Sequence, residues 1–133
     1  MRILICEDNP VIALDLEMTL EEMGHEAAGH VTRSDKCLAH CRAAPPDLVL
    51  VDIDLADGPM GPGLTVQLAD MGIPSVIVSG QTDELAAEDH AALRVLTKPV
   101  AASDLKAALV TDRLLGSRPG AVTAGSADPS ADP

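Results

Sequence analysis

The amino-acid sequence predicts an α/β protein whose five-stranded parallel sheet forms part of a doubly wound (βα)5 sandwich. Short apolar runs alternate with amphipathic segments along the chain, which is the pattern of repeated strand–helix units. The clearest apolar run, DLVLV at residues 47–51, does not alternate apolar with polar residues, as expected of a strand covered by helices on both faces. The length of 133 residues suits a single domain of this kind.

The first half of the chain contains two strand–helix units and a third strand. Its apolar runs are predicted strands at residues 2–6, 25–31 and 47–51. Asn9 can cap a first helix, Pro10 suits its first turn, and Gly24 marks its end. Ser34 is the predicted cap of a second helix that ends near Arg42, before two consecutive prolines.

The second half continues the same alternation. The sequence predicts a helix at residues 64–71 and strands at residues 73–80 and 94–99. The polar, Ala-rich residues 82–93 leave room only for a short or irregular fourth helix. Ser103 is the predicted cap of a last helix that ends at Gly116. We therefore expect one domain at residues 1–116, followed by a disordered tail at residues 117–133, which has little to bury.

Composition restricts the function and the location of the protein. Nine Lys and Arg against 21 Asp and Glu give a net charge of −12, which argues against a nucleic-acid partner. A divalent cation or a basic protein surface suits this charge better. No apolar run approaches the ~20 residues that span a membrane, and acidic residues appear too early for a signal peptide. We expect a cytoplasmic protein whose core is aliphatic, because Phe, Tyr and Trp are absent.

Polar side chains follow four of the predicted strands. Glu7 and Asp8 follow the first strand and Asp52 follows the third, while Ser79 and Lys98 lie at the ends of the fourth and fifth. In doubly wound sheets, ligands bind beyond the carboxyl ends of the strands, so these side chains are expected to converge. Crowded carboxylates repel one another unless a cation joins them, and Mg²⁺ (or Mn²⁺) prefers oxygen ligands.

Asp52 is the candidate nucleophile of this predicted site. A carboxylate held beside Mg²⁺ and the ammonium of Lys98 can attack phosphorus and form an aspartyl phosphate. The two positive charges would stabilise the negative charge spread over the phosphoryl oxygens. The hydroxyl of Ser79 could donate a hydrogen bond to one of those oxygens.

On five βα units, this constellation resembles the receiver domain of two-component response regulators, a CheY-like domain with the flavodoxin-like fold. The residues that carry the resemblance are Glu7, Asp8, Asp52, Ser79, Gly80, Lys98 and Pro99. The resemblance implies that Asp52 takes a phosphoryl group from a sensor histidine kinase or a histidine phosphotransfer protein. It also implies that Glu7, Asp8, Asp52 and the backbone carbonyl of Asp54 bind Mg²⁺.

The resemblance assigns the remaining positions of the site as well. Ser79 would be the switch hydroxyl, Lys98 would pair with the phosphoryl group, and the Lys98–Pro99 peptide bond would be cis. Val95 stands where receivers usually carry the aromatic switch residue, and its simpler interpretation is a packed strand residue. The interval from Ser79 to Lys98 is also shorter than is usual in the family, which is why the fourth helix is expected to be short.

Partners and output follow from the same resemblance. Receivers phosphorylate and dephosphorylate themselves slowly and are otherwise not enzymes. We expect a downstream protein target, no nucleic acid or membrane contact, and a monomer or weak homodimer. The start of the chain, and the short region after V-S-G at residues 78–80, are similar to stand-alone receivers that act with atypical sensor kinases in stress signalling.

Two alternative functions stay open. The pattern of Asp52 and Asp54 after an apolar strand also resembles the first motif of haloacid-dehalogenase-type phosphatases, in which the second Asp acts through its side chain. That motif normally lies on the first strand, and it would leave Glu7 and Asp8 without a role. The other alternative is an adaptor that keeps the fold without phosphorylation, which only Val95 and the short fourth helix favour.

The cysteines and histidines receive no catalytic role in this interpretation. Cys6, Cys37 and Cys41 are odd in number and do not form a disulfide framework. A metal site at Cys37, His40 and Cys41 is conceivable on a helix, but only two of these residues would share a face and a structural zinc site needs four ligands. The histidines do not fall at strand ends, and the sequence indicates surface or partly buried packing for all of them: His25, His30, His40 and His90.

Overall fold

The structure is a computed structural model that describes residues 1–80 and 90–114. For residues 111–114 it describes the backbone only. The strands are β1 (Arg2–Cys6), β2 (Glu26–Val31), β3 (Leu48–Asp52), β4 (Ser75–Ser79) and β5 (Arg94–Thr97). The helices are α1 (Pro10–Glu22), α2 (Ser34–Ala43), α3 (Gly61–Asp70) and α4 (Ala102–Leu114).

All five strands are parallel and lie in the order β2-β1-β3-β4-β5. The order reverses between β1 and β3, so the crevice of a doubly wound sheet opens at the carboxyl ends of these two strands. This topology confirms the predicted flavodoxin-like sandwich. It also places the strand that carries Asp52 at the centre of the sheet.

Two aliphatic cores cover the two faces of the sheet. On one face, alternate residues of the central strands pack with α1 and α4, including Ile3, Leu16, Leu50 and Leu105. On the other face, the intervening strand residues pack with α2 and α3, including Leu4, Cys37, Val49, Leu64 and Leu68. Every residue of β3 and β4 is buried, which explains why their sequences do not alternate.

The start of α1 agrees with its prediction, whereas the predicted cap of α2 is wrong. Asn9 Oδ1 accepts hydrogen bonds from the backbone N–H groups of Val11 and Ile12 at 2.9 and 3.3 Å. Ser34 is the first helical residue of α2, and it donates to the carboxylate of Asp57 through N at 3.1 Å and Oγ at 2.5 Å. These bonds hold the pKa of Asp57 below its usual range. Asp57 therefore caps the N-terminus of α2 from a loop that is distant in sequence.

Other boundaries differ from their predictions by a few residues. Helix α3 begins at Gly61, three residues before the predicted start, because Pro62 fits the first turn of a helix. Ser103 lies inside α4 and does not precede it. Strand β5 ends at Thr97, before Lys98.

Part of the chain lies outside the described residues. The predicted fourth helix at residues 82–93 falls largely there, since residues 81–89 are not described, and residues 90–92 are not helical. Gly116 and the predicted tail at residues 117–133 also lie outside. Within the described ranges, no helix is long and apolar enough to cross a membrane.

Three free thiols lie inside the core between the sheet and α2. Cys6 is 1% exposed, and Cys37 and Cys41 are fully buried. A hydrogen bond with Cys41 lowers the pKa of Cys37, but a hydrogen bond with Cys6 and burial outweigh it and raise that pKa to about 12. A hydrogen bond with Cys37, together with burial, raises the pKa of Cys41 as well. Cys37 and Cys41 therefore remain protonated, and all three buried cysteines act as small apolar residues.

Candidate functional site

The acidic residues of the candidate site come from the two central strands of the crevice. Glu7 and Asp8 directly follow β1, and Asp52 is the last residue of β3. Since Cys6 pairs with Val51 across these strands, the acidic residues lie side by side at the carboxyl edge. Glu7 is 2% exposed and Asp52 is 9% exposed, whereas Asp8 is open to solvent.

Lys98 lies between the two buried carboxylates. Its Nζ atom is 2.9 Å from Glu7 Oε1 and 3.3 Å from Asp52 Oδ2. Its backbone N–H donates to the carbonyl oxygen of Ser79 at 2.8 Å, which anchors the segment after β5 to the end of β4. The Lys98–Pro99 peptide bond is cis.

The two buried carboxyl groups have opposite pKa shifts. Burial raises the pKa of Asp52 to about 7, together with its hydrogen bond to Glu7 and the negative charge there, although Lys98 opposes the change. Burial also raises the pKa of Glu7, but the ammonium of Lys98, the hydrogen bond from the Asn9 N–H and that from Asp52 outweigh it, and the net shift is downward. Burial lowers the pKa of Lys98, but the two carboxylates outweigh it and raise the value. Glu7 is therefore the ionised partner of Lys98, and Asp52 is poised to gain or lose a proton near neutral pH.

The acidic residues at this edge fit a hard divalent cation. One carboxylate oxygen each of Glu7, Asp8 and Asp52 lie within 4.8 Å of one another, and no other such group of His, Cys, Asp or Glu occurs among the described residues. Glu7 Oε1 is buried and, within the described part of the chain, contacts Lys98 without a well-aligned hydrogen bond. An all-oxygen group with one ligand open to solvent suits Mg²⁺, which keeps several waters when bound.

The other predicted site residues surround this group. Asp54 lies in the loop after β3 with its side chain exposed, and its carboxylate is not part of the acidic group in the described structure. Ser79 is 3% exposed at the end of β4, beside Thr97 of β5. Val95 is partly buried in β5, where it pairs with Ile77.

Two residues at the site were not predicted from the sequence. Gly61 begins α3 against the backbone of Asp52 and Ile53, where a Cβ atom would overlap the carbonyl oxygen of Asp52 and lie 2.6 Å from Ile53 Cα. In the sequence, Gly61 begins a G-P-G segment, which is typical of a loop. His30, expected to be at the surface or partly buried, is exposed, and its Nε2 atom lies 2.7 Å from the backbone oxygen of Glu7. No local pattern indicates that contact.

Comparison with protein families agrees with this geometry. The model of the response regulator receiver domain matches residues 3–110. The chain belongs to this family. Receiver domains act in two-component regulatory systems, generally bind Mg²⁺, work with a kinase or phosphotransfer partner, and generally serve as regulatory domains without enzymatic activity of their own.

Relatives of this receiver domain include several proteins named PhyR. The phyllosphere-induced regulator PhyR of Methylorubrum extorquens is 45% identical over 60 residues, which are 44% of this chain and 22% of that protein. The solution structure of the Erythrobacter litoralis PhyR receiver domain has a TM-score of 0.77 and 26% identity, covering 92% of this chain and 95% of that one. The anti-anti-sigma factor PhyR of Bartonella quintana has a TM-score of 0.74 and 28% identity, covering 86% and 47%.

This receiver domain therefore spans about a fifth of the length of its curated relative from M. extorquens and about half of the B. quintana protein. The similarity lies in the receiver part that the family model matches.

Proposed function

We propose that this chain is the phosphoacceptor receiver of a two-component phosphorelay, with Asp52 as the residue that is phosphorylated. The observation that carries the proposal is the placement of Asp52, buried beside Lys98 at the carboxyl edge and grouped with Glu7 and Asp8. A carboxylate in this position is a nucleophile held beside a fixed positive charge.

The transfer joins an Asp52 carboxylate oxygen to phosphorus and breaks the phosphorus–nitrogen bond of a phosphohistidine. The departing imidazole keeps the bonding electron pair and takes up a proton from solvent. Lys98 Nζ, already 3.3 Å from Asp52 Oδ2, pairs with the negative charge of the phosphoryl oxygens. The Ser79 hydroxyl donates a hydrogen bond to one of them.

Glu7, Asp8, Asp52 and the backbone carbonyl of Asp54 are the proposed ligands of Mg²⁺ or Mn²⁺. When bound, the cation supplies positive charge that stabilises the transferring phosphoryl group. Glu7 also holds Lys98 in place, since the two charges lie 2.9 Å apart. Slow attack by water on the aspartyl phosphate would release inorganic phosphate and restore Asp52, so the domain resets itself.

Ser79 and Val95 are the proposed switch residues. Phosphorylation shifts the equilibrium between two existing conformations. The size of the shift is set by how much more strongly the phosphoryl group interacts with one conformation than with the other. An aromatic side chain buries roughly 150–250 Å² of surface, and the smaller side chain of Val95 cannot bury as much when it moves. We therefore expect the conformational change on the β5 side to be smaller than in receivers with an aromatic switch residue.

The exposed face of α1 is the proposed surface for the phosphodonor protein. Val11, Leu14 and Met18 are 74%, 55% and 52% exposed, and their i, i+3, i+7 spacing places them on one side of the helix. Helix α1 begins two residues after Asp8, and we propose that a partner reaching Asp52 also covers this apolar stripe. An apolar stripe on a helix suits packing against a helix of the kinase or phosphotransfer protein.

Replacing Leu14 and Met18 with serine is expected to slow phosphoryl transfer from a donor protein by on the order of tenfold, since about 1.4 kcal/mol of lost packing has that effect. Labelling by acetyl phosphate should not change, because α1 does not carry the acidic group. The rates are measured with a purified histidine kinase that phosphorylates the wild type. Val66→Ser on α3, which removes a 40%-exposed apolar side chain, is the matched control. Equal losses with both donors would contradict the assignment.

The proposed output is contact with a protein. The net charge of −12 favours a basic protein surface over nucleic acid. Similarity to a PhyR described as an anti-anti-sigma factor makes an anti-sigma factor the first partner to test. The similarity covers the receiver part of that protein, so this partner rests on relatedness and not on a described contact.

Labelling tests the proposed function. Acetyl phosphate with Mg²⁺ should add one phosphoryl group to the protein by intact-mass measurement, and hydroxylamine or removal of Mg²⁺ should prevent its accumulation. Absence of labelling at every Mg²⁺ concentration would reject the receiver function.

Asp54 separates this function from the phosphatase alternative. Because its side chain is exposed and outside the acidic group of the described residues, Asp54→Ala should keep the labelling. Rapid turnover of p-nitrophenyl phosphate that Asp54→Ala abolishes would favour the phosphatase instead.

A further inference from the structure

His30 contacts the main chain of the acidic site from the neighbouring strand. It is the penultimate residue of β2 and pairs with Ile5 in the parallel ladder. Its imidazole Nε2 lies 2.7 Å from the carbonyl oxygen of Glu7. The N–H of Glu7 donates to the carbonyl oxygen of Val31 at 2.9 Å. Both backbone groups of Glu7 are therefore bonded to the end of β2.

The chemistry of this contact fixes its direction. A carbonyl oxygen only accepts hydrogen bonds, so Nε2 of His30 must carry the hydrogen. This holds for the neutral ring protonated at Nε2 and for the charged ring, so the bond survives a change in the charge of His30.

The acceptor belongs to the peptide unit that joins two acidic residues. The carbonyl of Glu7 and the N–H of Asp8 lie in one rigid plane. A hydrogen bond to that carbonyl sets the orientation of the plane, and with it the direction in which Asp8 leaves the end of β1. The Glu7 carboxylate is fixed independently by Lys98 and by the Asn9 N–H, which donates to Oε2 at 3.1 Å. Asp8 is exposed, so its approach to the buried carboxylates depends on how the backbone of Glu7 and Asp8 is held.

We propose that His30 is a positioning residue for the metal site, because its Nε2–H holds the Glu7–Asp8 peptide so that both carboxylates face one cation. This inference deepens the proposed function and rests on its metal-binding part. His30 touches neither the cation nor the phosphoryl group. Partners of this kind, which orient ligands from behind, typically change metal affinity by about 10–100-fold when removed.

Two variants at one position test the proposal. His30→Leu keeps a side chain of similar size but cannot donate, whereas His30→Gln has an amide nitrogen that can reach the same carbonyl. We expect the Mg²⁺ dissociation constant, measured by calorimetry on the full chain, to rise by about tenfold or more for His30→Leu. For His30→Gln we expect it to stay within about threefold of the wild type, as a donor is retained.

Labelling with acetyl phosphate supplies a second measurement. The Mg²⁺ concentration that gives half of the maximal labelling rate should rise in His30→Leu by the same factor as the dissociation constant. The maximal rate should stay close to that of the wild type, because Asp52 and Lys98 are unchanged. A loss of general stability would instead lower the maximal rate or the folded fraction, which far-UV circular dichroism measures separately.

The outcomes distinguish this inference from the proposed function. Unchanged Mg²⁺ affinity in His30→Leu, or equal weakening in both variants, would overturn the role of His30 while leaving a labelled receiver intact. A wild type that binds Mg²⁺ but takes no phosphoryl group, with weakened binding in His30→Leu, would reject phosphorylation and support His30. A wild type that binds no Mg²⁺ would overturn both.

Discussion

Replacing Asp52 with asparagine is expected to abolish labelling by acetyl phosphate and to stabilise the metal-free protein. Asparagine has no carboxylate to attack phosphorus, so no phosphoryl group should be added. It also removes an ionised group that is costly to bury. For Asp52, a pKa of about 7 in the folded protein against 3.8 in the unfolded chain lowers the free energy of unfolding by up to about 4 kcal/mol at pH 8. Asparagine should recover on the order of 1–3 kcal/mol of it, because Lys98 loses one partner.

The stability that Asp52→Asn gains over the wild type depends on pH in a definite direction. Between about pH 4 and pH 7, folded wild type holds a proton on Asp52 that the unfolded chain has released, because the pKa is raised on folding. The free energy of unfolding that Asp52 contributes therefore falls as the pH rises through this range. Glu7 has the opposite shift, so its contribution is present above its unfolded pKa and is lost as the pH falls. The advantage of Asp52→Asn should grow from about pH 4 to pH 7 and be constant above.

Urea unfolding followed by far-UV circular dichroism measures this difference, since the chain contains no Phe, Tyr or Trp for fluorescence. Addition of Mg²⁺ should stabilise the wild type more than Asp52→Asn, because the cation binds the ionised carboxylate. Asp54→Asn is the matched control, as it removes a nearby exposed carboxylate. An advantage that does not vary with pH, or an Asp52→Asn protein that is labelled like the wild type, would contradict the assignment of Asp52.

Replacing Gly61 with alanine is expected to destabilise the protein by about 1–3 kcal/mol or more, because inserted atoms force the surroundings to move. The added Cβ would overlap the backbone of Asp52 and Ile53, which cannot shift as a flexible side chain would. The Gly61 N–H also donates to the carbonyl oxygen of Ile53 at 2.9 Å, which holds the start of α3 against the end of β3. Separating these two segments would move the Asp52 backbone.

Gly63 offers a matched control two residues later in the same helix. A Cβ at Gly63 would meet nothing within 4 Å, so Gly63→Ala should be neutral or stabilising by up to about 1 kcal/mol. Urea unfolding of both variants gives the comparison, and acetyl phosphate labelling of the folded proteins shows whether Asp52 has moved. Equal stability of the two variants would show that the close approach at Gly61 can be relieved at little cost.

The fold and the acidic residues could be predicted because the relevant signals are local. Apolar runs indicate buried strands, and the residue after each run must lie at the carboxyl edge whatever the details of packing. That rule indicated Glu7, Asp8, Asp52 and Lys98 as neighbours, and the structure brings these four side chains together. Asn9 was likewise predictable as a cap, because a cap bonds residues two and three positions later.

The features that were missed all depend on residues far apart in sequence. The carboxylate of Asp57 caps α2 from 23 positions away, and His30 reaches Glu7 across the same interval. Gly61 could not be distinguished from an ordinary loop glycine, because the obstacle is the backbone of another segment. Local propensity contains no information about such contacts, which exist only once β1, β2 and β3 are assembled.

The three buried thiols of Cys6, Cys37 and Cys41 can report on local unfolding of the protein. A thiol without solvent contact reacts with an alkylating reagent only during transient opening of the structure around it. Cys6 directly precedes Glu7, whereas Cys37 and Cys41 lie in α2, so the three alkylation rates record the opening of different segments. Cysteine modification kinetics can therefore show which segments become more protected upon the proposed phosphorylation, without introducing any foreign label.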